Sequence, residues 1–289
     1  MDRTKIIACL IAILTAGGCA RSHKIVVASK NFTEQLVLGE IMAQQLERRL
    51  GEKVERKLNL GGTLLAHQAL LSGEIDLYPE YTGTAITTVL KLRPSRDARR
   101  VLSTVRSEYR KRWQIEWLPP FGFNNSFAMV IRGDDARRNH FETLSDASRS
   151  KTDWILGIGY EFLQRPDGLT GLVRTYGLTI KGHAKTMDLG LLYRALEQQQ
   201  VDMVAANATD GLLSVRDVRV LTDDRHYFPP YEAAPVVRAA ALAAHPGMRA
   251  ALDELAGKIT DKTMRRLNYE LDGRHRPLAE VAREFLAAK

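Results

Sequence analysis

Apolar residues follow two rhythms along this chain. Short runs rich in β-branched residues, at 24–28, 54–60 and 201–205, have the make-up of buried strands. Between such runs, apolar positions recur at helical spacing. Leu36, Val37, Ile41, Met42, Leu46 and Leu50 predict a helix that Gly51 ends. Asn31 is its expected cap, and Glu34, three residues on, completes a capping-box-like pair. Gly61, Gly62 and Thr63 predict a turn and cap, residues 64–71 a second helix stopped at Ser72 and Gly73, and residues 75–78 a third strand. Strand, helix, strand, helix, strand in this order predicts a parallel α/β sheet. Ligands in such sheets sit beyond the carboxyl ends of the strands, where loops 29–31 and 80–84 fall.

A second α/β rhythm follows. Residues 126–131, 154–158, 201–205 and 218–221 read as strands, and 144–148, 168–176 and 189–199 as helices. The tail over 245–289 reads as helical, with Leu252, Leu255, Ile259, Val281 and Phe285 as apolar positions and interruptions at Gly273 and Pro277. No repeat or flexible linker separates the halves. Two lobes joined by crossing strands are therefore expected, one spanning 24–124 plus 227–289 and the other 125–226, with the tail returning to the first.

The first nineteen residues have a different pattern. Arg3 and Lys5 precede an apolar run over 6–14, then Thr15, Ala16, Gly17, Gly18 and Cys19. This is the layout of a secretory signal, and the run is too short to span a bilayer. Small residues directly before a cysteine also resemble a bacterial lipobox, with Ala16 where leucine is usual, which predicts a lipid anchor on Cys19. Ordinary cleavage, leaving a soluble protein, is the alternative. Either way the domain is expected in the periplasm or on the outside of the cytoplasmic membrane. Both cysteines, Cys9 and Cys19, lie in this leader, so the remaining chain offers no disulfide, cysteine metal site or cysteine nucleophile.

Composition narrows the function. Of 289 residues 45% are apolar and 26% charged, the balance of a soluble globular protein. The net charge of +8 would suit a nucleic acid. However, the basic residues come as scattered pairs, such as Arg48–Arg49 and Arg137–Arg138, with acids between them, which reads as a solvated surface. Nucleophile elbow, phosphate loop, zinc helix and dinucleotide fingerprint are missing, and Gly157-Ile158-Gly159 lacks a third glycine. The seven histidines show no metal-pair spacing. Asp76 and Glu80 are separated by Pro79 in an extended segment, so they form no helical carboxylate pair. Neither enzyme chemistry nor a cofactor or metal is expected.

What remains is a set of aromatic and cationic residues in loops. The segments are Ser29-Lys30-Asn31-Phe32-Thr33-Glu34-Gln35, Tyr78-Pro79-Glu80-Tyr81-Thr82-Gly83-Thr84, Asn124-Asn125-Ser126-Phe127, Gln164-Arg165-Pro166-Asp167-Gly168, Ala208-Thr209-Asp210-Gly211 and Phe228-Pro229-Pro230-Tyr231. In this order they resemble the substrate-binding proteins of ABC importers for glycine betaine, choline and related osmoprotectants, from about residue 24 to the C-terminus. The resemblance implies a two-lobed periplasmic-binding-protein fold, type II-like, each lobe a mainly parallel sheet flanked by helices. It implies a monomer that holds a small zwitterion in the interlobe cleft and hands it to an ABC permease. Tyr81 and Tyr231 then fall on cage tyrosines, Phe127 where a third tyrosine is usual, and Asn207 where a fourth aromatic is usual. Lys30, Thr84 and Arg165 fall on carboxylate-holding positions, and Asn125 at a polar position beside the cage.

The chemistry agrees with that assignment. A quaternary ammonium has no N–H to donate, so ring faces must attract it, by about 0.5–2 kcal/mol per ring. A buried carboxylate needs cations and donors, and arginine offers a planar fork. The departures at 127 and 207 imply a reduced, more polar cage. That is compatible with glycine betaine or choline, with a larger betaine or amino-acid derivative, or with a sensing role without transport. Lys30 could instead be an exposed lysine, and Arg165 could clamp its loop to Asp167. Tyr78, Phe123 and Phe162 read as core, and residues 187–193 as core and hinge.

Overall fold

The β-branched runs pair into two separate sheets. The computed structural model describes residues 24–150 and 152–288, and Cys19 lies outside them. Among the described residues the first sheet contains β1 (Ile25–Ala28), β2 (Val54–Lys57), β3 (Leu77–Tyr81) and β4 (Ile115–Trp117). The second contains β5 (Phe127–Arg132), β6 (Leu156–Ile158), β7 (Lys185–Thr186), β8 (Met203–Asn207) and β9 (Val218–Leu221). The last strand, β10 (Ala233–Arg238), returns to the first sheet. The orders are β2-β1-β3-β10-β4 and β7-β6-β8-β5-β9. The chain therefore crosses between the sheets twice, after β4 and after β9, as a two-lobed periplasmic-binding-protein fold requires.

The sheets are mixed rather than mainly parallel. β1 runs parallel to β2 and β3, but β10 is antiparallel to both β3 and β4. Likewise β6 is parallel to β7 and β8, while β5 is antiparallel to β8 and β9. The crossing strands cause this. A strand entering a lobe straight from its neighbour needs no helical crossover, and so it can pair antiparallel.

The helix Thr33–Leu50 packs against the first sheet, with Val37, Leu38, Ile41 and Met42 fully buried. Gly51 ends it at φ 69°, a left-handed conformation that glycine adopts without a Cβ clash. At the other end the expected capping box is not formed. Phe32 occupies the cap position with no side-chain hydrogen bond, and Glu34 turns inward and is buried. The third strand also differs from expectation, running Leu77–Tyr81 through Pro79. Pro79 stands opposite Pro235 on β10, so the two residues without an N–H are matched with each other. This extension puts Tyr81 at the end of a strand, its backbone held in the sheet.

Candidate ligand-binding site

All eight predicted ligand residues line one cavity of about 330 Å³ between the two sheets: Lys30, Tyr81, Thr84, Asn125, Phe127, Arg165, Asn207 and Tyr231. Most are set there by a strand end or the loop beside it, and Arg165 follows the short helix Tyr160–Gln164. Lys30 follows β1, Tyr81 ends β3, Thr84 lies in the helical turn Thr82–Thr84 beyond it, and Phe127 begins β5. Asn207 ends β8, directly opposite Phe127 in the β5–β8 ladder. The end of one strand and the start of its antiparallel neighbour therefore open onto the same space. Tyr231 precedes β10 and lies close against Gly83, where a Cβ would meet ring carbons at 2.5 and 2.6 Å. Only glycine admits the ring at that distance.

The rings form two groups. Phe32 and Tyr81 stack at 6.2 Å with an interplanar angle of 22°. Across the cavity, Phe127 meets Phe162 edge-on at 4.7 Å and Tyr231 edge-on at 5.9 Å. Phe32 was not among the expected ligand residues, and Phe162 was expected to be core. Phe162 is buried, but both residues line the cavity. Two further rings thus line the same cavity as Asn207. Met187, Asp188, Leu189 and Gly190 also line the cavity, and residues 188–190 are exposed. Residues 188–191 are thus cavity rim rather than core, their short 3-10 turn Leu189–Leu191 having no buried residue, whereas Leu192 and Tyr193 are core as expected. Tyr78 and Phe123 are buried, as expected of core residues.

The cations are already partnered. Lys30 is buried rather than exposed. Its Nζ donates to Glu80 Oε1 at 2.7 Å and to Thr63 Oγ1 at 3.3 Å, and lies 4.7 Å from the Tyr81 ring centroid. Arg165 clamps its loop to Asp167, one of its two expected readings. Its Nε and Nη2 donate to Asp167 at 2.9 and 2.7 Å, its Nη1 donates to Thr84 Oγ1 at 3.0 Å, and it still lines the cavity. Its Cζ is 5.3 Å from the Phe127 ring and 5.6 Å from the Tyr231 ring. Lysine and arginine therefore share the ring faces with whatever enters.

Three buried carboxylates stand behind this lining. Glu80 accepts from Lys30, from the Tyr78 hydroxyl at 3.0 Å and from the Tyr81 N–H at 2.7 Å. Asp167 accepts from Arg165, from Thr87 Oγ1 at 3.0 Å and from the Tyr231 hydroxyl. Glu34 accepts from the Tyr81 hydroxyl at 2.7 Å, Asn125 Nδ2 at 2.8 Å, Asn268 Nδ2 at 3.3 Å and the Thr209 hydroxyl. Burial pushes the Glu34 carboxyl up, and the four hydrogen bonds oppose that shift. Burial likewise raises the Tyr81 and Tyr231 hydroxyls well above the usual phenol range, so both stay protonated and donate.

The arrangement suits binding, with Lys30 beside the Tyr81 ring and Arg165 beside the rings of Phe127 and Tyr231 in one cavity. The family model for the substrate-binding domain of ABC-type glycine betaine transport systems matches residues 23–288. The chain belongs to that family. Among relatives of this glycine betaine-type binding domain, it is similar to the carnitine transport binding protein of Listeria monocytogenes. The two are 31% identical over 271 residues, covering 93% of this chain and 88% of the relative. It is also similar to a glycine-betaine-binding protein of Pseudomonas aeruginosa, 34% identical over 300 residues, covering 98% and 93%. A solved glycine betaine/carnitine/choline ABC transporter structure shares the two-lobed fold, with a TM-score of 0.78 and 30% identity, covering 92% of this chain and 98% of that one. This binding domain is thus the substrate-binding part of an ABC transport system.

Proposed function

We propose that this protein captures a quaternary-ammonium zwitterion outside the cytoplasm and delivers it to an ABC permease, without catalysing any reaction on it. The observation that carries this reading is the single cavity that joins the rings of Phe32, Tyr81, Phe127, Phe162 and Tyr231 to the cations of Lys30 and Arg165. The ammonium rests on the ring faces. The carboxylate lies toward Lys30, Thr84 and Arg165, with Asn125 as a further polar contact. Asn207 favours a second, narrower reading. An amide replaces a ring there, so a betaine with an additional polar group gains a hydrogen-bonding partner that glycine betaine cannot use. Calorimetric titration with glycine betaine, carnitine, choline and plain amino acids tests both readings. The expected ranking is carnitine-sized betaines first, glycine betaine next, choline weaker, and plain amino acids unbound. Tight binding of a plain amino acid with no response to any quaternary ammonium sinks the proposal.

The lobe boundaries follow the same reading, at 124/125 and 226/227. They are supported by the bridge between Asn124 and Glu232, where the two crossing segments lie side by side. Among the described residues no helix is long and apolar enough to cross a membrane. We place the protein as a monomer on the membrane through a lipid on Cys19, on the strength of the small residues and apolar run before it. Metabolic labelling with a fatty acid is expected to mark the wild-type protein and to be lost in Cys19→Ala. Label that survives the substitution contradicts the anchor.

A further inference from the structure

We propose that Glu34 is a positioning residue for the ligand: it holds the cage ring of Tyr81 and ties that ring across the cleft, so that ring placement and lobe closure become one event. This rests on the binding reading above. Glu34 does not line the cavity, so it acts through others. Its carboxylate gathers four donors from four places in the chain. Tyr81 comes from the end of β3, Asn125 from the first crossing segment, Thr209 from the loop after β8, and Asn268 from the helix Asp261–Asp272. Glu34 itself is in the first turn of the helix Thr33–Leu50 on the first lobe, whereas Thr209 belongs to the second. Hence one buried carboxylate links the two lobes, a crossing segment and a cage tyrosine.

The physics gives this link two consequences. A tyrosine anchored only by its backbone can swing about its side-chain bonds, and a second anchor at the hydroxyl fixes the ring plane. A hydroxyl donated to an anionic oxygen is also polarised, which leaves the ring face more electron-rich toward a cation. Moreover, bringing the lobes together delivers the Thr209 hydroxyl to a carboxylate that burial has stripped of water, where an added donor counts for more than it does in solvent. The opposite wall repeats the device. The Tyr231 hydroxyl donates to Asp167, which also accepts from Thr87 of the first lobe. Phe127 has no hydroxyl to anchor, and it is seated by edge contacts with Phe162 and Tyr231 instead. This explains why a phenylalanine serves at 127 and tyrosines stand at 81 and 231.

The test uses Glu34→Gln and the nearly isosteric Thr209→Val, with glycine betaine and carnitine as probes. Thr209 does not line this cavity either, and Thr209→Val removes the hydroxyl given to Glu34 while keeping the backbone N–H that reaches Asn125. Calorimetry is expected to show roughly tenfold weaker binding for Glu34→Gln and a smaller, several-fold loss for Thr209→Val. Adding Tyr81→Phe to Glu34→Gln should cost less than about twofold more, because the two act as a unit. Spin labels on the exposed positions Lys53→Cys and Lys181→Cys, one on each lobe, read closure. The probe-saturated distance distribution should be broader and longer in both variants than in wild type. If Glu34→Gln does not fold, Thr209→Val decides alone. Variants that bind within about twofold of wild type and close to the same distance overturn the proposal, as does a fully additive Tyr81→Phe loss. A wild type that binds neither probe is a different failure: it overturns the binding reading, and this proposal falls with it.

Discussion

Replacing Arg165 with alanine is expected to weaken glycine betaine binding by roughly 100-fold or more, the consequence of truncating one partner of a buried, hydrogen-bonded charge pair. Two losses combine. The ligand carboxylate loses a cation that lines the cavity. In addition, Asp167, almost fully buried, keeps only the donors of Thr87 and Tyr231 and no cation. An uncompensated anion then stands behind the cavity wall and opposes an incoming carboxylate. Choline has no carboxylate, so it loses no such partner and meets no repulsion. Its affinity should change by less than about tenfold, in either direction. Titrating both ligands into wild type and Arg165→Ala measures the difference directly. Equal losses for the two would mean that Arg165 does not hold the carboxylate.

The second large effect is on stability. Lys30 and Glu80 form an ion pair at 2.7 Å with side chains only 3% and 0% exposed. Lys30→Met removes the cation and leaves Glu80 inside the first lobe with the Tyr78 hydroxyl and the Tyr81 N–H. Breaking a buried pair from one side costs about 3–5 kcal/mol, because the remaining charge is stranded. For a protein of this size that corresponds to a fall of roughly 10 °C in the melting temperature. Lys30→Met/Glu80→Gln removes both charges and is expected to regain most of the loss. Thermal melts of wild type, single and double variants check this. A single variant that melts within about 2 °C of wild type would show that Glu80 finds other compensation. The double variant should still bind ligand poorly, since it lacks the Lys30 cation at the cavity. That separates the stabilising role of the pair from its proposed role in recognition.

The cavity-lining residues were legible through the family resemblance of the short segments in or beside which they stand, and the fold brings those segments to one cavity. Glu34 was not legible as more than a cap, because Asn31 followed three residues later by Glu34 is what a capping box looks like in sequence. Only the arrival of donors from residues 81, 125, 209 and 268 distinguishes the two roles, and those separations are invisible to a local pattern. Phe162 reads as core because it is core; a cavity wall and a hydrophobic core ask for the same side chain. Arg165 clamps its loop through Asp167 and also lines the cavity, so the clamp and the proposed ligand contact need not exclude each other.

The fold was legible in part. The helix Ala98–Trp113 was missed because its fully buried stripe is narrow: only Val101, Val105 and Tyr109 are buried in a segment dominated by charged and polar residues. β10 was missed for a different reason. A proline inside a short apolar run argues against a central strand, and only the matching Pro79 on β3 makes Pro235 acceptable there. Without β10 and the antiparallel pairing of β5, the rhythm of the remaining strands suggests parallel sheets.

Mass spectrometry of small molecules released from natively purified protein tests the central claim most directly. The account predicts a retained quaternary-ammonium zwitterion, with its trimethylated nitrogen shown by fragmentation. A retained ligand with no quaternary ammonium, such as a plain amino acid or a sugar, would contradict it.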